Sequence, residues 1–392
     1  MKRILIIAAI AVMVLAGALI GSSAYAARMS QTGGVSVPEV YSPNRLMLEL
    51  WSTFKKNTLE STGRTIQKDN DGNSTAMGQA TTMQRAVWMD DITTFDKSWQ
   101  WTKDNLQTDD YHFANTFGEL VNGNYGIKDA KTSAGADQQM AYGLIMASAR
   151  WREGKYLWDS RPLMVALWRD HVRTINGKPV FVSVADGNTL NTADFAPQIL
   201  RSFARVDPSH DWKAVLNNTY ELLQGAQQAY PGELLATSYA VTPVGTTDVI
   251  LTKTGANNGT VGDDSWQLAY ALALDSKWNN DARALSLLAS YQPLATAWHA
   301  NHELVARYST TGTAQSAADI PATYGMLMGY FLAFDQPAAT DIYQQKLLTL
   351  YNPDTQSYRQ VLGYRDDTWT WLGIALYNNN LPNIGGQYDQ PR

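Results

Sequence analysis

Three stretches put carboxylates where a loop turns into a helix. In TSAGADQQMAYGLIMASARW (132–151) a run of small residues enters a strongly periodic segment, and Asp137 falls in its first turn. In GDDSWQLAYALALD (262–275) Asp263 and Asp264 stand together at another such start. In RAVWMDDITTFDKSWQWT (85–102) Asp90, Asp91 and Asp96 interleave with Trp88, Trp99 and Trp101. A single acid at a helix start is accounted for by the helix dipole alone, and a helical stripe of Trp is usually core. The pair Asp263 and Asp264 is accounted for less well. Acids beside indoles at loop–helix junctions also suit a carbohydrate groove. A fourth start breaks the pattern. In NSTAMGQ (73–79) Ser74 or Thr75 can cap the helix, and Met77 occupies a first turn that favours an acid.

The elements that must position these groups are helices almost throughout. Apolar residues recur at i, i+3 and i+4, as in Leu46, Leu50 and Phe54 or Met140, Leu144, Ala147 and Trp151. The spacing predicts helices near 43–61, 76–90, 92–106, 136–152, 156–176, 194–206, 209–228, 264–275, 279–299, 317–333, 337–350 and 367–378. Short connections imply antiparallel neighbours. Two connections, 107–135 and 229–263, are longer and rich in Gly, Asn, Thr and Asp; the second contains VTPVGTTDVILTKTGANNGT, whose β-branched residues suit a small β-hairpin. Helices in consecutive hairpins with no domain boundary between them predict an all-α fold, an (α/α)6 barrel made as a toroid of six helical hairpins.

The chain opens with Lys2 and Arg3, an apolar run from Ile4 to Ile20, and Ala24-Tyr25-Ala26. That is the pattern of a signal peptide over 1–26, with an uncleaved N-terminal anchor as the alternative. Residues 27–42 read as a linker and 43–392 as the barrel. The expected product is secreted or extracytoplasmic, touching membrane only through the N-terminal segment if that segment is retained. The chain has no cysteine, and its five His show no metal-ligand spacing, so neither metal nor other cofactor is expected. The formal charge of −5 argues against nucleic acid as a partner. Thirteen Trp and 20 Tyr against 9 Phe favour aromatics with a polar handle, suited either to a helical core or to a sugar cleft. A monomer is expected.

YRDDTWTWLGIALYNN (364–379), RAVWMDDITTFDKSWQWTKDNL (85–106), ADQQMAYGLIMASARW (136–151) and YLWDSRPLMVALW (156–168) together resemble glycoside hydrolase family 8 over about residues 44–380. The resemblance implies an (α/α)6 barrel acting on β-linked glucan, chitosan or xylan chains by inversion. It also implies which positions carry the chemistry. The family's Ser-Glu-Gly-Gln reads AMGQ here, so Met77 takes the place of the acid and Gln79 is kept. Its A-[ST]-D-[AG]-D reads SAGAD, so Gly135 replaces the Asp that lines the central sugar position while Asp137 keeps the second Asp. Its Asn-Pro-Ser-Tyr-Phe reads NTADF, placing Asp194 where a Tyr lies near the attacking water. Its Asp-Ala-x-Arg reads DSWQ, with Asp264 at the position that holds the base in one branch of the family and Gln267 in place of the Arg.

Trp88, Trp99, Trp101, Gln79 and Gln267 are the candidate substrate contacts. A thioether donates no proton, so the first expectation is a silent or impaired relative that engages a β-linked polysaccharide. The alternative is an active inverting hydrolase with Asp264 as base and Asp194, Asp137 or Asp110 as a relocated acid. A polysaccharide lyase is a third class, but no Tyr, His or Arg cluster stands near the altered motifs.

Overall fold

A computed structural model describes residues 43–183, 187–254, 259–316 and 320–387, with backbone alone at 263, 264 and 387. The expected signal segment and linker (1–42) lie outside the described residues.

The helices are α1 (Arg45–Thr58), α2 (Ala76–Trp88), α3 (Ile92–Asn105), α4 (Ala134–Trp151), α5 (Gly154–His171), α6 (Pro197–Val206), α7 (Trp212–Ala229), α8 (Gln267–Asn279), α9 (Ala282–Leu288), α10 (Gln292–Asn301), α11 (Pro321–Phe334), α12 (Gln336–Ile342) and α13 (Tyr364–Tyr377). Six of them, α2, α4, α6, α8, α11 and α13, pack in that order around an axis. Arg85 to Asp367 at 2.8 Å and Trp88 against Trp371 close the ring between α2 and α13. Each inner helix carries an outer partner: α3, α5, α7, α9, α12 and, on α13, the N-terminal α1. This is the (α/α)6 barrel.

Burial follows the pattern. Residues 322–331 of α11 are buried without a break, and α2 is buried on nearly every face, as a helix surrounded by others must be. Starts are set by local chemistry. Asn44, Thr75, Asp91, Ser133 and Asp211 each accept a backbone N–H of the helix they begin. Pro197 and Pro321 open theirs.

The differences from the expected elements have local causes. The helix expected over 156–176 stops at His171, because Val172–Ile175 pairs with Lys178–Phe181 across Asn176-Gly177, both at positive φ. The helix expected over 279–299 is broken: Asp281 caps α9, and Pro293 helps to start α10 after a tight turn. Most of the 337–350 helix winds differently, leaving regular α-helix at Ile342. Loop 107–135 holds an antiparallel hairpin, Ala114–Glu119 with Tyr125–Thr132, to which Ser74–Thr75 adds a third short strand. The hairpin expected in 241–260 forms as Ser238–Val244 with Asp248–Lys253. Both hairpins precede inner helices in the chain, on the side where those helices begin.

Candidate active site

Met77 lies in the first turn of α2, half-buried. Thr75 caps this turn by accepting from Gly78 N at 3.0 Å, and Thr81 Oγ1 donates to Met77 O at 2.8 Å. No acid stands in the turn. Tyr364, from the start of α13, donates its hydroxyl to Gly78 O at 3.2 Å. The position is therefore a fixed one, where α2 and α13 meet.

Gly135, in the first turn of α4, faces the same place. A Cβ built on it would stand 2.4 Å from Asp194 Oδ1 and 3.7 Å from Met77 Cε. The space of the side chain that position 135 lacks is thus occupied by a carboxylate from another segment. Asp194 ends a short 3-10 turn, Thr192–Asp194. That turn is held by Gln138 Nε2 donating to Asp194 O (2.9 Å), by Thr192 N donating to Thr237 O (2.9 Å), and by Phe195, buried against Tyr220.

Asp137 does not open onto this place, which corrects its reading as a catalytic group. It is 1% exposed, bonded to His112 Nδ1 at 2.7 Å and accepting from Phe113 N at 3.2 Å. His112 Nε2 bridges on to Asp170 at 2.8 Å. Hydrogen bonding to Asp137 raises the His112 pKa to about 9 against the pull of burial, and burial pushes the Asp137 carboxyl up. Arg169 holds Asp170 down at about 2. The trio pins the 107–113 loop to the start of α4. Asp110 is exposed, and the Thr108 hydroxyl holds it below the usual carboxylate range, the wrong direction for a general acid.

Gln79 is also structural rather than substrate-facing. It is fully buried, accepts from Thr65 N (2.6 Å) and donates to Gly63 O, Ser98 O and Thr102 Oγ1. Trp99 is 4% exposed, donates to Asp159 at 2.5 Å and packs on Phe113. Trp101 packs edge-on against Phe117 with Arg64 over its ring. These two indoles lie on an outer helix and do not line the cavity that includes Met77.

Trp88 and Gln267 do line an axial cavity of about 50 Å³ that begins at Met77. Its wall also includes Tyr142, Tyr270, Gln198 and Trp369. The hydroxyls of Tyr142 and Tyr270 and the Gln198 Oε1 are buried without a hydrogen-bond partner among the described residues, so the cavity is polar enough and large enough for water. Burial keeps both tyrosines protonated. Asp263 and Asp264 begin the 3-10 turn Asp263–Trp266 just before α8; their side chains lie outside the described part.

A model of glycosyl hydrolases family 8 matches residues 36–362. The chain belongs to that family. An endoglucanase of Xanthomonas axonopodis pv. citri (strain 306) is 28% identical over 186 residues, 45% of this chain and 48% of the relative. The chain spans about half the length of the curated relatives it matches. Among solved structures, an endo-1,4-D-glucanase from Vibrio fischeri ES114 aligns with a TM-score of 0.72 at 19% identity, covering 86% of this chain and 97% of that one. A β-1,3-1,4-glucanase from Paenibacillus sp. X4 gives 0.71 at 16% identity, covering 89% and 96%. At these identities the structural likeness shows the fold.

Within this family 8 chain, sequence reasoning missed Tyr364, Tyr142, Tyr270, Gln198 and Asp366. The Asp366 carboxyl is half-buried near the start of α13, accepts from Ala322 N at 3.2 Å, and is pushed up by burial and by the charge of Asp69. The signal was present in YRDDTW, where two acids stand at a helix start. Asp367 went into the buried pair with Arg85, and Asp366 stays half-buried against the start of α11.

Proposed function

We propose that this chain is an exported family 8 barrel that engages a β-linked polysaccharide and is impaired in cleaving it. The observation that carries the reading is Met77 in the first turn of α2, lining the axial cavity, at the position where the family resemblance puts the proton donor. A general acid contributes roughly 10²–10⁴-fold in rate, so hydrolysis without one is slow. The names of the relatives, endoglucanase and endo-1,4-D-glucanase, suggest a β-1,4-linked glucan as the first ligand to try. At about 50 Å³ the cavity itself holds water rather than a sugar ring, and the Tyr, Gln and Trp side chains around it are neutral. Export follows from the pattern of residues 1–26 and is tested by N-terminal sequencing of the mature protein from the extracytoplasmic fraction.

The test of function pairs calorimetric titration of cellohexaose with reducing-end release from β-glucan. Binding with negligible release is expected. Rapid release that Asp264→Asn abolishes would overturn the reading. A second reading, an active inverting hydrolase with Asp264 as base, is favoured by Asp366, half-buried in the turn of α13 whose Tyr364 bonds Gly78 O beside Met77, with its carboxyl pushed up by burial. On that reading Asp366→Asn removes activity as completely as Asp264→Asn.

A further inference from the structure

The substitutions at 135 and 194 lie 59 residues apart in the chain yet share one place in space. An ideal Cβ on Gly135 meets Asp194 Oδ1 at 2.4 Å, closer than atoms in contact approach. Any side chain at 135 therefore requires the Asp194 carboxylate to leave. The converse also holds: Asp194 reaches this point because position 135 has no side chain. The 3-10 turn that carries Asp194 is tied to α4 itself, through Gln138 one turn beyond Gly135, and to Thr237 on the other side. The carboxylate is thus preorganised at the N-terminal turn of α4, where the helix dipole favours an anion.

We infer that Gly135 and Asp194 are a coupled pair, in which Asp194 supplies from the turn the carboxylate that position 135 would otherwise supply from the helix, and that this carboxylate binds sugar hydroxyls beside Met77. The inference rests on the proposed glycan-binding reading and gives it a specificity. A carboxylate accepts strong hydrogen bonds from hydroxyls and repels a uronate at the same position. The ligand class is a neutral β-linked glucan, with C6-oxidised chains disfavoured.

The test is a double-mutant cycle of Gly135→Asp, Asp194→Gly and the double variant. Thermal midpoint and cellohexaose affinity are both read, with C6-oxidised cello-oligosaccharide as the second probe. Asp194→Gly is expected to lower cellohexaose affinity about tenfold or more, the scale of one charge-assisted hydrogen bond. Gly135→Asp alone should lower both affinity and thermal midpoint. The double variant should recover both, because the carboxylate has moved back to the helix without a rival. Wild-type protein should bind the oxidised chain more weakly than cellohexaose. Additive losses in the double variant, or an Asp194→Gly protein that binds as well as wild type, would overturn the inference. If wild-type protein ignores cellohexaose while the thermal midpoints still couple, the glycan reading falls and the shared position stands.

Discussion

Raising the pH should loosen the start of α4 through His112. The ring is held between Asp137 and Asp170, and its pKa rises from 6.5 to about 9 on folding. A raised folded-state pKa gives stability that is fully present below pH 6.5 and is lost as pH climbs to about 9. At about 1.36 kcal/mol per unit the full shift is worth up to about 3 kcal/mol. For a barrel of roughly 350 residues, with an unfolding entropy of about 2 cal/mol/K per residue, that corresponds to a fall of about 4 °C in thermal midpoint. Neighbouring His171 is pushed down by burial and titrates below this window. The assay is thermal unfolding from pH 6 to 9.5 in wild type and in His112→Gln combined with Asp137→Asn, since the buried Asp137 carboxyl would itself titrate once its imidazole partner is gone. The wild-type midpoint should fall across the window relative to the double variant, whose neutral amides have no proton to lose. Parallel pH profiles for the two proteins would refute the argument.

Other changes read the scaffold. Gln79→Leu takes the side-chain partner from Thr65 N and Gly63 O in the buried seam between α2 and α3, while Ser98 O and Thr102 Oγ1 keep their bond to each other, and should destabilise by about 2–4 kcal/mol in chemical denaturation. Arg85 lies fully buried with its guanidinium 4.0 Å from the Phe54 ring centroid and 4.8 Å from that of Trp371. Asp367→Leu should destabilise by about 3–5 kcal/mol, because the Arg85 charge is left uncompensated; adding Arg85→Met should recover most of that.

The barrel was legible because its cause is local. Inner helices are apolar on nearly every face, outer ones on one, and the connections are short. The Asn176-Gly177 turn was readable too, but apolar periodicity running through Val172 and Ile175 masked it. The site was less legible because its determinants are non-local. Asp137 at a helix start looks the same whether it faces a groove or a histidine, and His112 lies 25 residues away. Trp99 and Trp101 sit among acids in sequence, but their faces are set by the packing of α3. That Gly135 and Asp194 meet cannot be read from either motif. Met77 stands out in one turn of sequence, since a thioether occupies a first turn where the helix dipole favours an acid.

Replacing Met77 shows whether a missing proton donor is what silences the barrel. Met77→Glu returns a proton donor to the first turn of α2, beside the Asp194 carboxylate, whose charge helps to keep the new acid protonated. Gly135 must stay as it is, because Asp194 already fills its place. Reducing-end release from β-glucan should be negligible in wild type and rise by about 10²-fold or more in Met77→Glu, with Met77→Gln remaining at the wild-type level. Strong wild-type release that survives Met77→Ala and disappears in Asp264→Asn would contradict the account, since another acid would then be at work and Met77 would only be packing.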